Sequence, residues 1–519
     1  MTKTLQSYLS GQFVSGSGRA SQLHDPTRGG VVAETSTAGL DLAGALAYAR
    51  SVGGPAVREL TFAQRGEVLS AMASALHEHR DELLDLARLN GGNCRSDAKF
   101  DIDGATGTLA FYGKLGQSLG DRTFLADGDS VQLARNPRYI GQHIRVPRHG
   151  VAVHINAFNF PAWGFGEKAA VALLAGMPVL CKPATSTALV TARMFEILVA
   201  ADVAPAGTLS LLCGSAGDLL DHLGPQDALA FTGSSDTGAM IRGRDNLVRL
   251  GVPVNVEADS LNSAVLGPDV DDDSDTFDMF VREVARDMVQ KSGQKCTAVR
   301  RVYVPRDSLE SAREALIAEV QRSAVGDPAL KQVRVGPVAT AQQLRDVRAG
   351  IDKLAGTYRL VMGDGSPGKL EGEGLENGYF VGPTLLEADG PGPGLAHELE
   401  VFGPVQTLIP YDGSAAEAVD SVARGTGSLV SSVYTDDKTF AKDMILGLAP
   451  YNGRLHLGGK KVADHSPGPG TVLPQMVHGG PGRAGGGEEL GGVRGLSFYM
   501  QRTAVQGLNA LVERIAGLK

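Results

Sequence analysis

The segment 150–257 alternates short apolar runs with longer amphipathic runs, and this alternation constrains the fold more than any other feature of the sequence. Apolar strands joined by helices are typical of a parallel sheet whose two faces are both covered. The sequence therefore predicts an α/β fold with a doubly wound parallel sheet. The predicted strands are residues 151–155, 178–181, 209–212, 228–231 and 252–256, and the helices between them are 167–175, 187–201, 216–223 and 236–243.

The loops that follow these strands are the first candidates for a binding site. In open parallel sheets, ligands bind outside the carboxyl ends of the strands. These loops hold a lysine, several small residues and a glycine turn before a helix, which suit the phosphate and ribose oxygens of a nucleotide. No GxGxxG fingerprint is present, and the turn from Gly233 to Gly238 is a weak signal by itself. The segments concerned are 156–161, 182–185, 214–215 and 232–235, together with Glu257.

A second α/β block follows residue 257 and contains Cys296 in a polar, glycine-flanked turn, residues 293–298. A nucleophile needs an approachable reacting atom with free backbone N–H groups beside it, and such a turn provides both. A buried cysteine that packs as a small hydrophobe is the alternative interpretation. The predicted elements of this block are a strand at 263–266, a helix at 277–291, a strand at 299–304 and a helix at 309–323.

Local patterns predict the remaining elements. A helix begins after Thr61, which has capping-box spacing to Gln64, and a second helix covers 80–90. The segment 130–147 is predicted to form a long half-polar hairpin, either exposed to solvent or acting as an arm that reaches another subunit. A strand at 496–505 and a helix to Lys519 complete the chain.

Composition and charge exclude several classes of function. The 519 residues exceed what one core uses, so two or three domains are expected. With 49 Lys and Arg against 58 Asp and Glu, the net charge of −9 argues against a nucleic-acid partner. The four cysteines are few and far apart, which indicates a reducing compartment. They lack the spacing of a metal site, and the acidic run 271–273 is interpreted as a capping turn, so no metal is expected. The N-terminus lacks a signal-peptide pattern and the longest apolar run, 169–181, is too short to span a bilayer, so a cytoplasmic location without membrane contact is expected.

Six motifs, in order along nearly the whole chain, resemble those of the aldehyde dehydrogenase superfamily. The resemblance implies a Rossmann-like cofactor domain (1–129 and 148–257) and an α/β catalytic domain (258–490). It also implies a small β bridging element (130–147 and 491–519) and therefore a homodimer. The motifs are 156–161 (Asn-Ala-Phe-Asn-Phe-Pro), 182–184 (Lys-Pro-Ala), 231–234 (Phe-Thr-Gly-Ser), Glu257, 293–296 (Gly-Gln-Lys-Cys) and 400–404 (Glu-Val-Phe-Gly-Pro).

The resemblance implies a role for each catalytic residue. Cys296 would attack an aldehyde as the thiolate, while the Asn159 amide and the Cys296 backbone N–H would bind the oxyanion. Glu257 would activate the water that hydrolyses the resulting thioester. Lys168 with Glu167 is interpreted either as part of a proton relay or as a salt-bridged helix N-terminus.

The resemblance also implies a nicotinamide dinucleotide cofactor and assigns residues to its parts. Lys182 would contact the adenosine ribose, and Ser234 with Phe158 would flank the pyrophosphate. Glu400 would bind the nicotinamide ribose, and Phe402 would lie against the nicotinamide. Further cofactor contacts are expected from Ala184, Thr185, Ser215 and Gly233.

Thr185 indicates which dinucleotide is preferred. NAD-preferring relatives carry a glutamate three residues after the lysine, where this chain has Thr185. A carboxylate there would accept a hydrogen bond from the ribose 2′-OH and repel a 2′-phosphate. Threonine removes that repulsion and Lys182 supplies positive charge, so the sequence predicts NADP as the cofactor.

Two features of the sequence concern the substrate and the freedom of Glu257. The run 478–492, with 499–503, resembles the branch of the family that acts on CoA-linked semialdehydes in aerobic aromatic breakdown, which implies such a substrate and a carboxylic acid product. The family usually has two glycines soon after the glutamate, whereas residues 258–261 are Ala-Asp-Ser-Leu, so a different position or mobility is expected for Glu257.

Three alternatives remain open: a CoA-acylating dehydrogenase, a general aliphatic aldehyde dehydrogenase, and a non-catalytic protein that has kept the fold. Glu257 argues against the first, because thiolysis by CoA needs no water-activating base. The presence of Cys296, Asn159 and Lys182 argues against the last.

Overall fold

Two seven-stranded sheets form the framework of the fold. The computed structural model describes residues 3–516; Met1, Thr2 and residues 517–519, including the predicted helix end at Lys519, lie outside the described residues. All five predicted strands of the first sheet are present and parallel, which confirms the α/β class. From one edge to the other, the strands are Val254–Glu257, Ala228–Thr232, Ala152–Ile155, Val179–Lys182 and Leu209–Leu211, then the antiparallel Ser7–Leu9 and Gln12–Val14.

Helices cover both faces of the first sheet, as its apolar strands require. The helix Pro161–Ala175 is apolar nearly all round and every residue in it is buried, as expected for a helix inside the core. The capping box predicted at Thr61 is present, with both reciprocal hydrogen bonds to Gln64. The other helices of this half are Leu42–Tyr48, Gly54–Glu59, Phe62–Glu78, Arg80–Gly91, Arg95–Leu119, Ala188–Ala200, Ser235–Arg242 and Asp245–Leu250.

The second sheet carries the Cys296 turn just before one of its central strands. Only its edge strand Arg359–Met362 runs antiparallel to its neighbour. In order, the strands are Arg359–Met362, Thr384–Glu387, Val405–Tyr411, Val299–Pro305, Asn262–Leu266, Ser428–Tyr434 and Asn452–Gly458. The helices of this half are Asp275–Val289, Leu309–Gln321, Ala341–Ala355, Ala415–Ala423 and Lys438–Leu448.

A separate three-stranded antiparallel sheet contains the predicted hairpin. Its strands are Leu125–Gln132 and Tyr139–Pro147, and Met500–Leu508 pairs with the latter along its whole length. The hairpin therefore begins five residues before the predicted start at 130. The terminal helix Asn509–Ala516 follows. Three short sheets complete the described fold: Lys3–Thr4 with Val31–Thr35 and Ser21–His24, Ala324–Val325 with Val333–Val335, and Val477–Gly479 with Glu488–Leu490.

Besides the hairpin, three predicted elements differ from the observed ones by more than two residues. The predicted helix 216–223 is only a 3-10 turn, Leu219–His222, because Gly217 adopts a left-handed φ of 51° that interrupts a helix. The helix predicted from 167 begins at Pro161, since proline is well tolerated in a first helical turn. The strand predicted from 496 begins at Met500, after a helical turn, Leu496–Tyr499.

The C-terminal segment packs into the first half of the molecule. Leu490, Leu496 and Tyr499 belong to the same buried cluster as the helix Pro161–Ala175. The predicted division into domains at residues 257 and 490 stays a prediction. Within residues 3–516, none of the helices has the length and apolar character needed to cross a membrane.

Candidate active site

Cys296 lies in a turn whose backbone is held by close contacts. The helix Asp275–Val289 ends before it, and Lys291 and Ser292 adopt left-handed φ angles of 53° and 54°. Such conformations are uncommon for residues with a side chain and concentrate at functional sites. A Cβ on Gly293 would meet the backbone oxygen of Gly403 at 2.1 Å. Glycine at 293 is therefore required for the turn to pack in this way.

Two buried polar side chains fix this turn, and neither was predicted from the sequence. The Asn262 side-chain amide donates to the backbone carbonyl of Cys296 at 2.8 Å. The Arg300 guanidinium donates to the carbonyls of Gly293 at 2.9 Å and Gly403 at 2.8 Å. Because Arg300 binds both segments, it connects the cysteine turn to the 400–404 motif.

Asn159 and Glu257 reach the same point from the first sheet. Asn159 Nδ2 donates to the carbonyl of Gln294 at 3.0 Å, and the amide has a second N–H that can serve an oxyanion. Glu257 ends the strand Val254–Glu257 and is buried. Both residues line a cavity that also contains Cys296. The three predicted residues therefore meet between the two large sheets.

His478 belongs to this cluster, although no role was predicted for it from the sequence. Its Nε2 lies 3.0 Å from Glu257 Oε2 and 4.0 Å from Cys296 Sγ. The candidate donor atoms of the three residues lie within 4.8 Å of one another, and they are ligand types found in zinc sites, although the sequence spacing predicted none. His478 is 182 positions from Cys296, in a glycine-dense stretch without periodicity, so no sequence signal pairs the two.

Their surroundings shift the pKa of Cys296 and the pKa of Glu257 in opposite directions. Burial raises the pKa of Cys296 well above its ordinary value, and Glu257 raises it further. Burial acts on Glu257 in the same direction, but His478, Lys168 and the thiol outweigh it and hold the pKa of Glu257 at about 2. The resting site therefore holds a neutral thiol beside an ionised carboxylate that can accept its proton.

Lys168 lies between two carboxylates behind Glu257. Its Nζ is 2.5 Å from Glu167 Oε1 and 3.0 Å from Glu489 Oε2. Burial raises the pKa of Glu167 well above its ordinary value despite the neighbouring lysine. Glu167 and Lys168 lie in the middle of the helix Pro161–Ala175, not at its N-terminus, so the alternative of a capping salt bridge does not describe them. Glu489 is a further member of the group that the sequence did not assign.

A small cavity connects this group to the thiol. It has a volume of about 20 Å³, which is room for about one water molecule. Its lining includes the Lys168–Glu167 pair together with Glu257, Cys296 and Asn159. A proton path from Glu257 to the Lys168 group therefore has space for a bridging water.

A cavity of about 800 Å³ lies at the carboxyl ends of the first sheet and extends to Cys296. All but one of the predicted cofactor residues line it. Ser215 does not, because its hydroxyl accepts from the backbone N–H of Gly217 at 3.2 Å, and Ala216 and Gly217 form the wall instead. The predicted residues in the lining are Phe158, Lys182, Ala184, Thr185, Gly233, Ser234, Glu400 and Phe402.

Polar atoms without partners in this cavity fit a dinucleotide. Glu400 Oε2 accepts from the Ser260 N–H at 2.9 Å, whereas the buried Oε1 has no hydrogen-bond partner within residues 3–516 and lies 3.6 Å from Arg300 Nε. Burial, opposed by Arg300, raises the pKa of Glu400 to about 7. A buried oxygen without a partner is costly unless a donor such as a ribose hydroxyl reaches it. At the other end of the cavity, burial lowers the pKa of Lys182, whose ammonium group forms no hydrogen bond or ion pair within residues 3–516.

Hydrogen bonds fix the segment 258–261, where the family usually has glycines. Asp259 accepts from the Ser235 backbone N–H at 3.1 Å and from its hydroxyl at 2.6 Å. The Ser260 hydroxyl donates to Asn262 Oδ1 at 2.6 Å. These bonds favour a less mobile connection after Glu257 than a pair of glycines would give.

A second cavity, of about 600 Å³, reaches Cys296 from the opposite side and is mostly apolar. One wall is the helix Arg95–Leu119, which presents Gly104 and Gly107 to the cavity. A Cβ at Gly104 would lie 3.1 Å from the Trp163 ring, whereas one at Gly107 would enter open space. Glycine inside a helix is destabilising. Here the absence of side chains at Gly104 and Gly107 widens the second cavity, which we call the tunnel. The apolar lining residues are Phe100, Phe111, Phe160, Trp163, Val472, Leu473 and Pro474.

Solved structures of other proteins have the same fold. PnpE in complex with nicotinamide adenine dinucleotide matches with a TM-score of 0.84 at 24% sequence identity, covering 98% of this chain and 97% of that one. Apo betaine aldehyde dehydrogenase of Staphylococcus aureus (G234S mutant) matches with a TM-score of 0.83 at 23% identity, covering 97% and 95%. At these identities the likeness concerns the fold.

Sequence comparisons are more specific. The chain is 42% identical over 481 residues to 3,4-dehydroadipyl-CoA semialdehyde dehydrogenase of Aromatoleum evansii, covering 92% of this chain and 93% of that protein. It is 30% identical over 386 residues to α-ketoglutaric semialdehyde dehydrogenase of Bacillus subtilis, covering 73% and 74%. The model of the aldehyde dehydrogenase family matches residues 13–505. With Cys296, Asn159 and Glu257 gathered beside a dinucleotide-sized cavity, the chain belongs to the aldehyde dehydrogenase family.

Proposed function

We propose that the protein is an NADP-dependent dehydrogenase that oxidises a CoA-linked semialdehyde, 3,4-dehydroadipyl-CoA semialdehyde, to the carboxylic acid. The observation that carries the proposal is the position of Cys296, which lines both large cavities, the one of about 800 Å³ and the apolar one of about 600 Å³. A dinucleotide and an aldehyde that enter from opposite sides would meet at its sulfur. The identity of 42% to the Aromatoleum evansii enzyme supports the substrate class.

The first chemical step forms a bond between Cys296 Sγ and the aldehyde carbon. The thiol proton passes to Glu257, and the carbonyl oxygen becomes an oxyanion as the thiohemiacetal forms. The second N–H of Asn159 and the backbone N–H of Cys296 stabilise that charge. A bound nicotinamide supplies the acceptor for the hydride that leaves the substrate carbon, which converts the adduct into a thioester on Cys296.

The second step cleaves the thioester with water. Before this step, the proton that Glu257 took from the thiol leaves it towards the Lys168 group, which restores the carboxylate. Glu257 then takes a proton from the water, whose oxygen attacks the thioester carbon, and the sulfur leaves as the thiolate. The proton then moves towards the Lys168 group through the small cavity between them. Glu167 and Glu489, on either side of Lys168, are the groups that receive and release it.

Thr185 and Lys182 support the choice of NADP. Both line the dinucleotide cavity, and Lys182 has no charged partner of its own within residues 3–516. Thr185→Glu is expected to reverse the preference, lowering kcat/KM for NADP by about tenfold to a hundredfold, because a carboxylate repels the 2′-phosphate. Steady-state kinetics with both cofactors measure this.

Thr187→Glu would not be a fair control because that hydroxyl is buried and bonded to the Phe158 carbonyl. Ser215→Glu is suitable, since Ser215 lies close by but off the cavity wall. It should leave the cofactor ratio near that of the unmodified protein. A wild-type preference for NAD would contradict the proposal.

The tunnel supports a long, linear substrate. Its apolar walls suit an acyl chain, and Lys99, exposed at the wall formed by the helix Arg95–Leu119, can meet phosphate groups that stay outside. The test is NADPH formation across free aliphatic aldehydes and CoA-linked semialdehydes. We expect the highest kcat/KM for a CoA-linked semialdehyde. A clearly higher kcat/KM for short free aldehydes would overturn the proposal. Product analysis with and without free CoA separates acid formation from acylation of CoA.

Gly107→Leu is expected to narrow the tunnel and to select against long substrates. The new side chain enters the open space beside Gly107, so kcat/KM for CoA-linked or long-chain aldehydes should fall about tenfold or more, while acetaldehyde is affected less. Leucine is a better helix former than glycine by about 0.8 kcal/mol, so the variant should not lose thermal stability. Lys114→Leu, exposed on the same helix but outside the tunnel, is the matched control. Equal losses for short and long substrates would contradict this account.

We propose that the three-stranded sheet forms the interface of a homodimer, and the proposed location of the enzyme is the cytoplasm. Around the sheet, the apolar side chains of Val131, Leu133, Leu508 and Leu511 are exposed by 60, 46, 47 and 60%. They belong to two strands of the sheet, to the residue after the first strand and to the helix that follows, and exposed apolar side chains in one region are typical of an interface.

A further inference from the structure

We propose that His478 is a positioning residue for the first chemical step. Its Nε2–H contacts the Glu257 carboxylate before the thiol proton moves and the Cys296 thiolate afterwards, so the donor lies next to the negative charge throughout. This inference rests on the proposed function for the identity of the nucleophile and base. It adds a residue to the reaction and gives a reason why a buried glutamate stays ionised next to a thiol.

The position of the imidazole is fixed on several sides. His478 lies in the strand Val477–Gly479, directly opposite Glu489, and is 1% exposed. The ring of Trp163 packs against it edge-on, with centroids 5.7 Å apart. From this place Nε2 faces both Glu257 Oε2, at 3.0 Å, and Cys296 Sγ, at 4.0 Å. One nitrogen is therefore shared between the two groups that exchange the proton.

The surroundings of Nδ1 indicate which ring nitrogen carries the hydrogen. Nδ1 is buried and has no hydrogen-bond partner within residues 3–516. A proton there would be a buried donor without an acceptor, which is costly, whereas a proton on Nε2 faces a carboxylate. Nε2 is therefore the better place for the ring hydrogen than Nδ1. Because Nε2 already holds its proton, the base that receives the thiol proton is Glu257.

Charge balance explains the need for such a donor. Within residues 3–516, His478 is the basic side chain that lies within 4 Å of the Glu257 carboxylate. After proton transfer the negative charge lies on Sγ, where burial and the nearby carboxylates oppose it. A small rotation of the ring lets Nε2–H follow that charge without a new donor. The other charged groups that act on Glu257 or Cys296 are Lys168, Glu167, Glu400, Arg300 and Arg454, and Glu489 lies behind them.

The test is the rate at which iodoacetamide alkylates Cys296, followed against pH by peptide mass spectrometry on the full-length protein. This measurement needs neither substrate nor cofactor. In the wild type, internal proton transfer to Glu257 should give a rate that is nearly constant across the neutral range. Glu257 is ionised throughout that range, because His478, Lys168 and the thiol together lower its pKa. Rapid labelling of Cys94, Cys181 and Cys213 without labelling of Cys296 would instead contradict the proposed function, because Cys296 would then not be the reactive thiol.

His478→Phe keeps the ring and its contact with Trp163 but removes the N–H. Without that donor, burial raises the pKa of Glu257. The alkylation rate should therefore fall by about tenfold or more at neutral pH, and its decrease towards acid should begin at a higher pH than in the wild type. His478→Gln places an amide N–H near the Nε2 position and should restore most of the rate and the flat profile. NADP binding and thermal unfolding show whether each variant is folded.

The matched control is His456→Phe, which breaks another histidine–glutamate pair, His456 Nε2 to Glu283 Oε2 at 3.3 Å, away from the thiol. It should keep the wild-type alkylation profile. A folded His478→Phe variant with the wild-type rate and profile overturns the proposal. So does a folded His478→Gln variant that reacts as slowly as His478→Phe, because ring shape rather than the N–H would then matter.

Discussion

Replacing Cys296 by alanine is expected to lower kcat by at least about 10⁴-fold with every aldehyde, because no other group can form the covalent adduct. Cys296 is the cysteine that lines both large cavities, while Cys94, Cys181 and Cys213 are buried elsewhere. NADP affinity should change little, since the predicted contacts to the dinucleotide lie on other residues. Stopped-flow measurement of NADPH formation and a fluorescence titration with NADP measure the two quantities.

Cys213→Ala is the matched control for this substitution. Cys213 is fully buried in the core of the first sheet, and its removal should lower stability without affecting the chemical step. Substantial turnover by Cys296→Ala would contradict the assignment of the nucleophile. Loss of NADP binding by the same variant would show instead that the substitution disturbs the cleft as a whole.

Replacing Glu257 by glutamine is expected to separate the two chemical steps. The amide cannot accept the proton of the attacking water, so steady-state turnover should fall by about 10²–10⁴-fold. NADPH should still form in a burst close to one equivalent per active site, because the thioester accumulates. The burst itself should be slower than in the wild type and should accelerate with rising pH, since the thiol then loses its proton to solvent and burial holds its pKa high.

Glu488→Gln is a suitable control because Glu488 lies one residue from Glu489 but is exposed to solvent. It should keep wild-type burst and steady-state rates. A Glu257→Gln enzyme without any burst would show that Glu257 is essential for acylation and not mainly for hydrolysis. A Glu257→Gln enzyme with wild-type steady-state turnover would show that Glu257 is not the general base.

The sequence predicted the parts of the fold and site that depend on a regular pattern. Apolar strands alternating with helices predicted all five parallel strands of the first sheet, and the rule that ligands bind beyond strand ends led to Asn159, Lys182 and Glu257. These residues are close because neighbouring parallel strands end at the same edge. Cys296 was found from its polar, glycine-rich turn and from the family resemblance.

The residues that were missed lie where no periodicity exists. His478 and Glu489 come from the glycine-dense stretch near the C-terminus, which packs back onto the first sheet through hydrogen bonds such as Gly487 N–H to the Val256 carbonyl. A single sequence does not reveal such a long-range return. The two N-terminal strands of the first sheet were also missed, because they lack the apolar runs flanked by helices that identified the five parallel strands. Ser215 was misplaced by one or two positions relative to the cavity wall formed by Ala216 and Gly217.

The most direct test of the central claim is to identify the covalent intermediate. Glu257→Gln enzyme would be mixed with NADP and a CoA-linked semialdehyde, quenched in acid after the burst, digested and analysed by peptide mass spectrometry. We expect a thioester-linked acyl group on the peptide that contains Cys296, in an amount equal to the NADPH formed. A burst of NADPH with Cys296 unmodified, or an acyl group on another residue, would contradict it.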